Sequence, residues 1–158
     1  MKNSPENITL TLQTITKKTK DLPTSKTFKS WVKSILTDKS LFPNNCKAEI
    51  TIRIVDNQES SALNLKYRKK TGPTNILSFH YDSPDNLVNS KLFYGDLVIC
   101  WPMVQAEALE LNKSTKQHAA HLVIHGILHL LGYDHSNDQE AEIMETLETK
   151  LLKKLKIA

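Results

Sequence analysis

The feature that most constrains the fold is a predicted helix that is apolar on nearly every side and yet carries four histidines. Ser114-Thr115-Lys116-Gln117 has the form of a capping box, which starts a helix. The residues that follow are apolar almost all round the helical projection, as is typical of a helix buried at the centre of a domain. The stretch over residues 119–131 is too short to cross a bilayer. The sequence therefore predicts a domain without a membrane span, packed around this helix.

Three histidines in and just after this helix have the spacing of a metal site. His125 and His129 are four residues apart, so their imidazoles lie on one helix face, one turn apart. Gly132 can adopt the positive φ that ends a helix, which would bring His135 back as a third ligand. Three protein ligands and a water are typical of catalytic zinc. We therefore predict one zinc ion held by His125, His129 and His135, in a hydrolase that activates water.

Other polar residues are candidates for supporting roles. His121 shares the face of His125 and forms a rival ligand pair with it, and His118 lies two turns before His125. A straight helix cannot wrap three ligands round one ion, so we expect both histidines to be buried polar groups or to support the ligands. Asp134 and Asp96 can orient ligand imidazoles, and Asp96 can equally cap a turn.

Position 126 argues against a zinc peptidase. In the His-Glu-x-x-His helix of those enzymes, a glutamate beside the first ligand acts as the general base. Gly126 occupies that place and has no side chain. The predicted site can bind a metal but lacks the base of a peptidase.

The rest of the chain predicts an α+β fold in a single domain, residues 1–158. Residues 8–12 and 48–54 alternate apolar and polar side chains, as strands do, and residues 75–81 and 95–100 read as two more strands. A first helix is expected to have its cap at Thr24 or Ser25 and its apolar face over residues 28–36. Further helices are expected over residues 60–69, 102–111, 114–131 and 138–155, with a turn at Pro43-Asn44-Asn45. We expect a small mixed sheet of about four strands, packed with helices around the histidine helix.

Composition gives weaker indications. The net charge of +4 and the pI of about 9.0 favour an anionic partner such as nucleic acid. Cys46 and Cys100 have no paired spacing and are expected to be ordinary thiols rather than a disulfide. The polar N-terminus lacks the apolar core of a signal peptide, so a cytoplasmic location is expected.

The histidine block, residues 125–135, resembles the signature of the YbeY family of bacterial metal-dependent endoribonucleases. Further blocks agree in the expected order over about residues 48–152: Leu63-Asn64 with Tyr67-Arg68, the run from Pro73 to Phe79, the run from Gly95 to Cys100, and the tail from Glu140 to Glu148. One departure is His80, where the family commonly has proline. It lies at a predicted strand end and affects local geometry only.

The resemblance implies a single-strand-specific, zinc-dependent endoribonuclease that acts in 16S rRNA 3′-end maturation and ribosome quality control. Its partners would be rRNA and the small ribosomal subunit. Arg68 is the candidate catalytic residue, because a guanidinium binds phosphate oxygens bidentately and stays charged. A surface salt bridge at a helix end is the alternative role for Arg68. Lys69 and Lys70 can add attraction to the RNA backbone.

Two other functions stay open at this point. The chain can be a metallohydrolase of another substrate class, or a ribosome-assembly factor whose metal is mainly structural. Thr74, Asn75 and Ser78 either line the substrate groove or satisfy backbone groups near Pro73.

Overall fold

In the computed structural model, the described residues are 8–15, 21–42, 47–80 and 92–157. They form, in chain order, β1 (Ile8–Thr14), α1 (Ser25–Leu36), β2 (Lys47–Val55), α2 (Asn57–Arg68), β3 (Ile76–His80), β4 (Leu92–Cys100), α3 (Trp101–Glu110), α4 (Thr115–Leu130) and α5 (Asp138–Leu155). The predicted α+β class and its helices and strands are confirmed, with boundaries shifted by a few residues. The predicted turn at Pro43-Asn44-Asn45, and Cys46, lie outside the described residues.

The four strands form one mixed sheet in the order β1-β2-β4-β3. The pairs β1–β2 and β2–β4 are parallel, with Leu10 opposite Ile50 and Ile50 opposite Gly95. Strand β3 pairs antiparallel with β4, with Ile76 opposite Ile99. Because β3 is the last strand in this order, it forms one edge of the sheet.

The main core lies between one face of the sheet and the helices α1, α4 and α5. Ten of the 16 residues of α4 are buried, which confirms that this helix lies at the centre of the domain. Large side chains from both layers are almost completely buried, among them Trp31, Ile52 and Ile124. None of the helices that the structure describes is long and apolar enough to cross a membrane.

A smaller cluster lies on the other face of the sheet. Val55, Leu77 and Val98 are buried there with Cys100, and Leu63 of α2 packs against them. Cys100 is a free, buried thiol, and its burial raises its pKa. Both faces of the sheet are therefore covered by helices, and the hydrophobic cluster on the α4 side is the larger of the two.

Helix α4 packs very closely against the sheet at Gly126. A Cβ atom at this position would lie 2.7 Å from Leu97 Cδ2 and 2.8 Å from Ile76 Cδ1. Both distances are shorter than ordinary carbon–carbon contacts, so a side chain here requires its neighbours to move. The glycine thus allows the histidine helix to approach β3 and β4 closely.

Candidate metal centre

Helix α4 begins at a complete capping box. The Ser114 N–H donates to Gln117 Oε1 at 2.9 Å, and the Gln117 N–H donates to Ser114 Oγ at 3.0 Å. These reciprocal bonds satisfy two N–H groups at the helix start, as the sequence predicts. The helix they start carries His118, His121, His125 and His129.

Gly132 reverses the chain after α4. Its φ is +102°, and its N–H donates to the His129 carbonyl at 3.0 Å. The Tyr133 N–H donates to the Leu128 carbonyl, also at 3.0 Å. This pair of bonds is the Schellman motif, which needs the left-handed conformation that glycine adopts easily. The reversal returns His135 to the side of the helix that carries His125 and His129.

The three predicted ligands converge. One ring nitrogen from each of His125, His129 and His135 lies within 4.8 Å of the others, and the Nε2 atoms of His125 and His129 are 3.0 Å apart. Burial, and then the nearby charges of His125 and His135, lower the pKa of His129 and favour its neutral form. Neutral imidazole is the form that binds metal, and zinc–nitrogen bonds of about 2 Å need such convergence. The donor set therefore fits a zinc ion with three protein ligands.

Glu148 of α5 holds two of the helix α4 histidines, and sequence reasoning did not predict this role. It accepts a hydrogen bond from His125 Nδ1 at 2.5 Å and one from His121 Nε2 at 3.0 Å. Burial would raise the pKa of Glu148, but the bonds and charges of the two histidines outweigh it and lower the pKa to about 2. The carboxylate is thus ionised near neutral pH. Because His125 donates from Nδ1, its Nε2 lone pair is available to the triad.

One signal in the sequence points to Glu148. Met144, Leu147, Leu151 and Leu155 form the apolar stripe of α5, and Glu148 lies within this stripe, one turn from Met144 and from Leu151. It is only 6% exposed. A glutamate at a core-facing helix position is rarely buried without a partner.

His118 has a similar partner at the far end of the helix face. It is 5% exposed, and its Nε2 bonds Glu107 Oε1 at 2.7 Å. Asn75 Nδ2 donates to the same glutamate oxygen at 3.0 Å. His118 is thus a buried polar group and His121 a half-buried one, each paired with a glutamate, and neither belongs to the converging triad.

The two candidate aspartates occupy different places relative to the three histidines. Asp134 accepts from the His135 N–H at 2.8 Å and from Ser136 Oγ at 2.6 Å, and these bonds lower its pKa. It fixes the turn that carries His135 through the backbone. Asp96 lies between Gly95 and Leu97, both of which face α4, so it lies on the opposite face of the sheet. Of the two roles left open for Asp96, orienting a ligand imidazole does not fit this position in the sheet.

The triad opens into a cavity of about 950 Å³. The edge strand β3 lines this cavity along its whole length, with His118, His121 and Glu148 on one side and Arg68 and Tyr67 of α2 on the other. Arg68 is exposed, and among the described residues it has no carboxylate within ion-pair distance. The cavity therefore brings the predicted metal ligands and the predicted phosphate-binding arginine to one space.

Thr74, Asn75 and Ser78 also line the cavity. Asn75 bonds Glu107, and Ser78 Oγ donates to the Gly126 carbonyl at 3.4 Å. Lining the groove therefore holds for all three residues, and the role of satisfying backbone near Pro73 holds for Asn75, whose Oδ1 accepts from the Ile76 N–H at 2.7 Å.

Comparison with known proteins gives the family. Residues 14–156 match the family described as endoribonuclease YbeY. The chain belongs to the YbeY family. The solution structure of TM1509 from Thermotoga maritima is similar, with a TM-score of 0.60 and 26% sequence identity, over 92% of this chain and 87% of that one. The resemblance inferred from the histidine block is confirmed, and TM1509 has the same fold.

Another block that suggested the YbeY family has a structural role in this chain. Asn64 is 4% exposed, and its Nδ2 donates to the Gly72 carbonyl at 2.8 Å. Ser60, one turn earlier, donates from Oγ to the Thr74 carbonyl at 2.9 Å and accepts from the Thr74 N–H at 3.0 Å. These bonds attach the loop before β3 to helix α2. They hold the end of α2, which carries Arg68, beside the edge strand.

Proposed function

We propose that this chain is a zinc-dependent endoribonuclease that cleaves single-stranded RNA, with residues 1–158 acting as one YbeY-like domain. His125, His129 and His135 hold one Zn²⁺ ion, and Arg68 binds the phosphodiester. The observation that carries this proposal is the shared cavity, which both the converging triad and Arg68 line. The family description as an endoribonuclease supports the reaction class.

Each residue of the site has its own role in the proposed reaction. A zinc ion bound by three neutral imidazoles would lower the pKa of a bound water towards about 7 and polarise a phosphoryl oxygen. Glu148 holds His125 by its Nδ1–H, so that the Nε2 lone pair would be available to the ion. Arg68 donates its planar set of N–H groups to phosphate oxygens and remains charged throughout. Gly126 offers no general base of the peptidase kind, which agrees with a phosphodiester rather than a peptide substrate.

The biological substrate that we propose is ribosomal RNA. Membership of the YbeY family supports a role in 16S rRNA 3′-end maturation and ribosome quality control, with the small ribosomal subunit as partner and the cytoplasm as location. The net charge of +4 agrees with a polyanionic partner.

The test combines metal analysis with cleavage of a labelled single-stranded RNA. We expect His129→Ala, and more completely His125→Ala with His129→Ala, to lose both zinc and cleavage. Arg68→Ala is expected to keep its zinc and lose cleavage, and Arg68→Lys to recover only part of it, because lysine cannot bind bidentately. Lys150→Ala is the matched control, since it removes an exposed cation that does not line the cavity.

Three outcomes would contradict the proposal. Stoichiometric zinc in the double histidine variant would refute the ligand assignment. Much faster turnover of a small phosphoester or amide than of RNA would favour another metallohydrolase. Unchanged function in Arg68→Ala, together with unfolding on chelation, would favour an assembly factor with a structural metal.

A further inference from the structure

An exposed aromatic ring lies at the rim of the cavity. Tyr67, in the last turn of α2, is 54% exposed, whereas every other Phe, Tyr or Trp that the structure describes is buried or half-buried. Its ring packs edge-to-face against Phe79 of β3, with centroids 5.1 Å apart and planes at 70°. Both side chains line the cavity that the triad opens into. A planar ligand that covers the exposed part of the ring removes apolar surface from water, which favours its binding.

The ring lies within a cluster of cations. Lys66, Arg68, Lys69 and Lys70 surround Tyr67 in sequence, with no acidic residue between positions 65 and 70. Lys66 Nζ lies 5.1 Å from the centre of the Tyr67 ring. Lys66 is exposed and long, so it can move aside, and a cation–π contact in water is weaker than the stacking of a base.

The position of the ring is fixed by the fold. The hydrogen bonds of Ser60 and Asn64 attach the loop before β3 to α2, on the buried side of the same helix. Phe79 supports the ring from the edge strand. The Tyr67 ring is thus fixed in position before a ligand binds, which reduces the entropy lost when a planar ligand binds.

We propose that Tyr67, supported by Phe79, is a stacking subsite for an unpaired nucleobase of the RNA strand. The neighbouring cations would bind the flanking phosphates, the combination that proteins use for single-stranded nucleic acids. A base inside a duplex is already stacked and cannot cover the ring, so the subsite selects single strands. This inference rests on the proposed function for the class of ligand, and it assigns a feature that the metal site does not explain.

The test measures the binding of a short fluorescent 2′-O-methyl RNA to the zinc-loaded protein by anisotropy. We expect Tyr67→Ala to weaken binding by about 5- to 150-fold, the range for one base–aromatic stack. Tyr67→Phe should bind like the wild type, because it keeps the ring. Leu65→Ala is the matched control: Leu65 is 57% exposed on the same helix and does not line the cavity.

Two further arms make the test specific. Replacing the bases by abasic sugars should abolish the difference between wild type and Tyr67→Ala, and a blunt duplex should bind both proteins equally. Zinc content and melting temperature should match the wild type in every variant. Equal loss with single-stranded, abasic and duplex RNA, or loss in Tyr67→Phe, would overturn the subsite. If the wild type binds RNA in this Tyr67-dependent way but never cleaves it, the nuclease proposal fails and the subsite stands.

Discussion

The substitution Glu148→Gln tests how the fold prepares the metal site. The Glu148 carboxylate accepts from two imidazoles, His125 Nδ1 at 2.5 Å and His121 Nε2 at 3.0 Å. A glutamine of the same size has one oxygen and one NH₂ group, so it can accept from only one of them. If the NH₂ group faces His125, that ring must protonate Nε2 instead and loses its lone pair towards the ion. Loss of such an orienting carboxylate costs about 10- to 100-fold in metal affinity, or about 1.4–2.8 kcal/mol.

The assay is a competition titration of Zn²⁺ between the protein and a chromophoric chelator. Glu145→Gln is the matched control, since Glu145 is an exposed glutamate of the same helix that lines the same cavity. It removes the same charge without removing a bond to His125 or His121. Glu148 does not orient the ligand if Glu148→Gln binds zinc as tightly as the wild type, or if Glu145→Gln loses as much affinity.

Three more predictions concern stability. Gly126→Ala should lower the melting temperature. Overpacking against Leu97 and Ile76 costs about 1–3 kcal/mol, whereas the better helix propensity of alanine contributes about 1 kcal/mol. A higher melting temperature would contradict the close packing. Asn64→Ala should lower the free energy of unfolding in urea by about 1–3 kcal/mol, because the Gly72 carbonyl loses its donor, while exposed Gln58→Ala on the same helix should not. Chelating the metal should preserve the far-ultraviolet circular dichroism and lower only the melting temperature, because the hydrophobic core forms without the triad; unfolding would indicate a structural metal.

The triad was predictable because its determinants are local. The spacing of His125 and His129, the capping box and the positive φ of Gly132 all act within a few residues. Each of these features can be inferred directly from the sequence by helix geometry.

The partners of the histidines were not predictable in the same way. Glu107 pairs with a histidine 11 residues away, and Glu148 with histidines 23 and 27 residues away. Residues this far apart in the sequence come into contact only because α3 and α5 pack beside α4. The local sequence pattern does not specify that packing. The choice between the two roles of Asp96 was open for a related reason, because the face of a strand residue depends on the register and on which helix covers that face.

The strand order explains why the cavity could not be predicted from the sequence. Strand β3 pairs beyond β4 rather than between β2 and β4, and therefore forms the edge of the sheet. An edge strand allows one cavity to extend from the histidine face of α4 to the end of α2. The strand order is therefore what brings Arg68 and the three histidines to the same cavity.

Gly126 connects the packing of the fold to its chemistry. The glycine was first notable because a peptidase would have glutamate there, which could suggest that a catalytic group had been lost. The structure gives a different reason, since a Cβ atom at this position would lie 2.7 Å from Leu97 Cδ2 and 2.8 Å from Ile76 Cδ1, and both side-chain ends would have to shift. The same contact presses α4 against the edge strand and sets His125 and His129 beside the wall of the cavity. Glycine at position 126 therefore allows the close packing that places His125 and His129 at the wall of the cavity, and any larger side chain there, a general base included, would require Leu97 and Ile76 to shift.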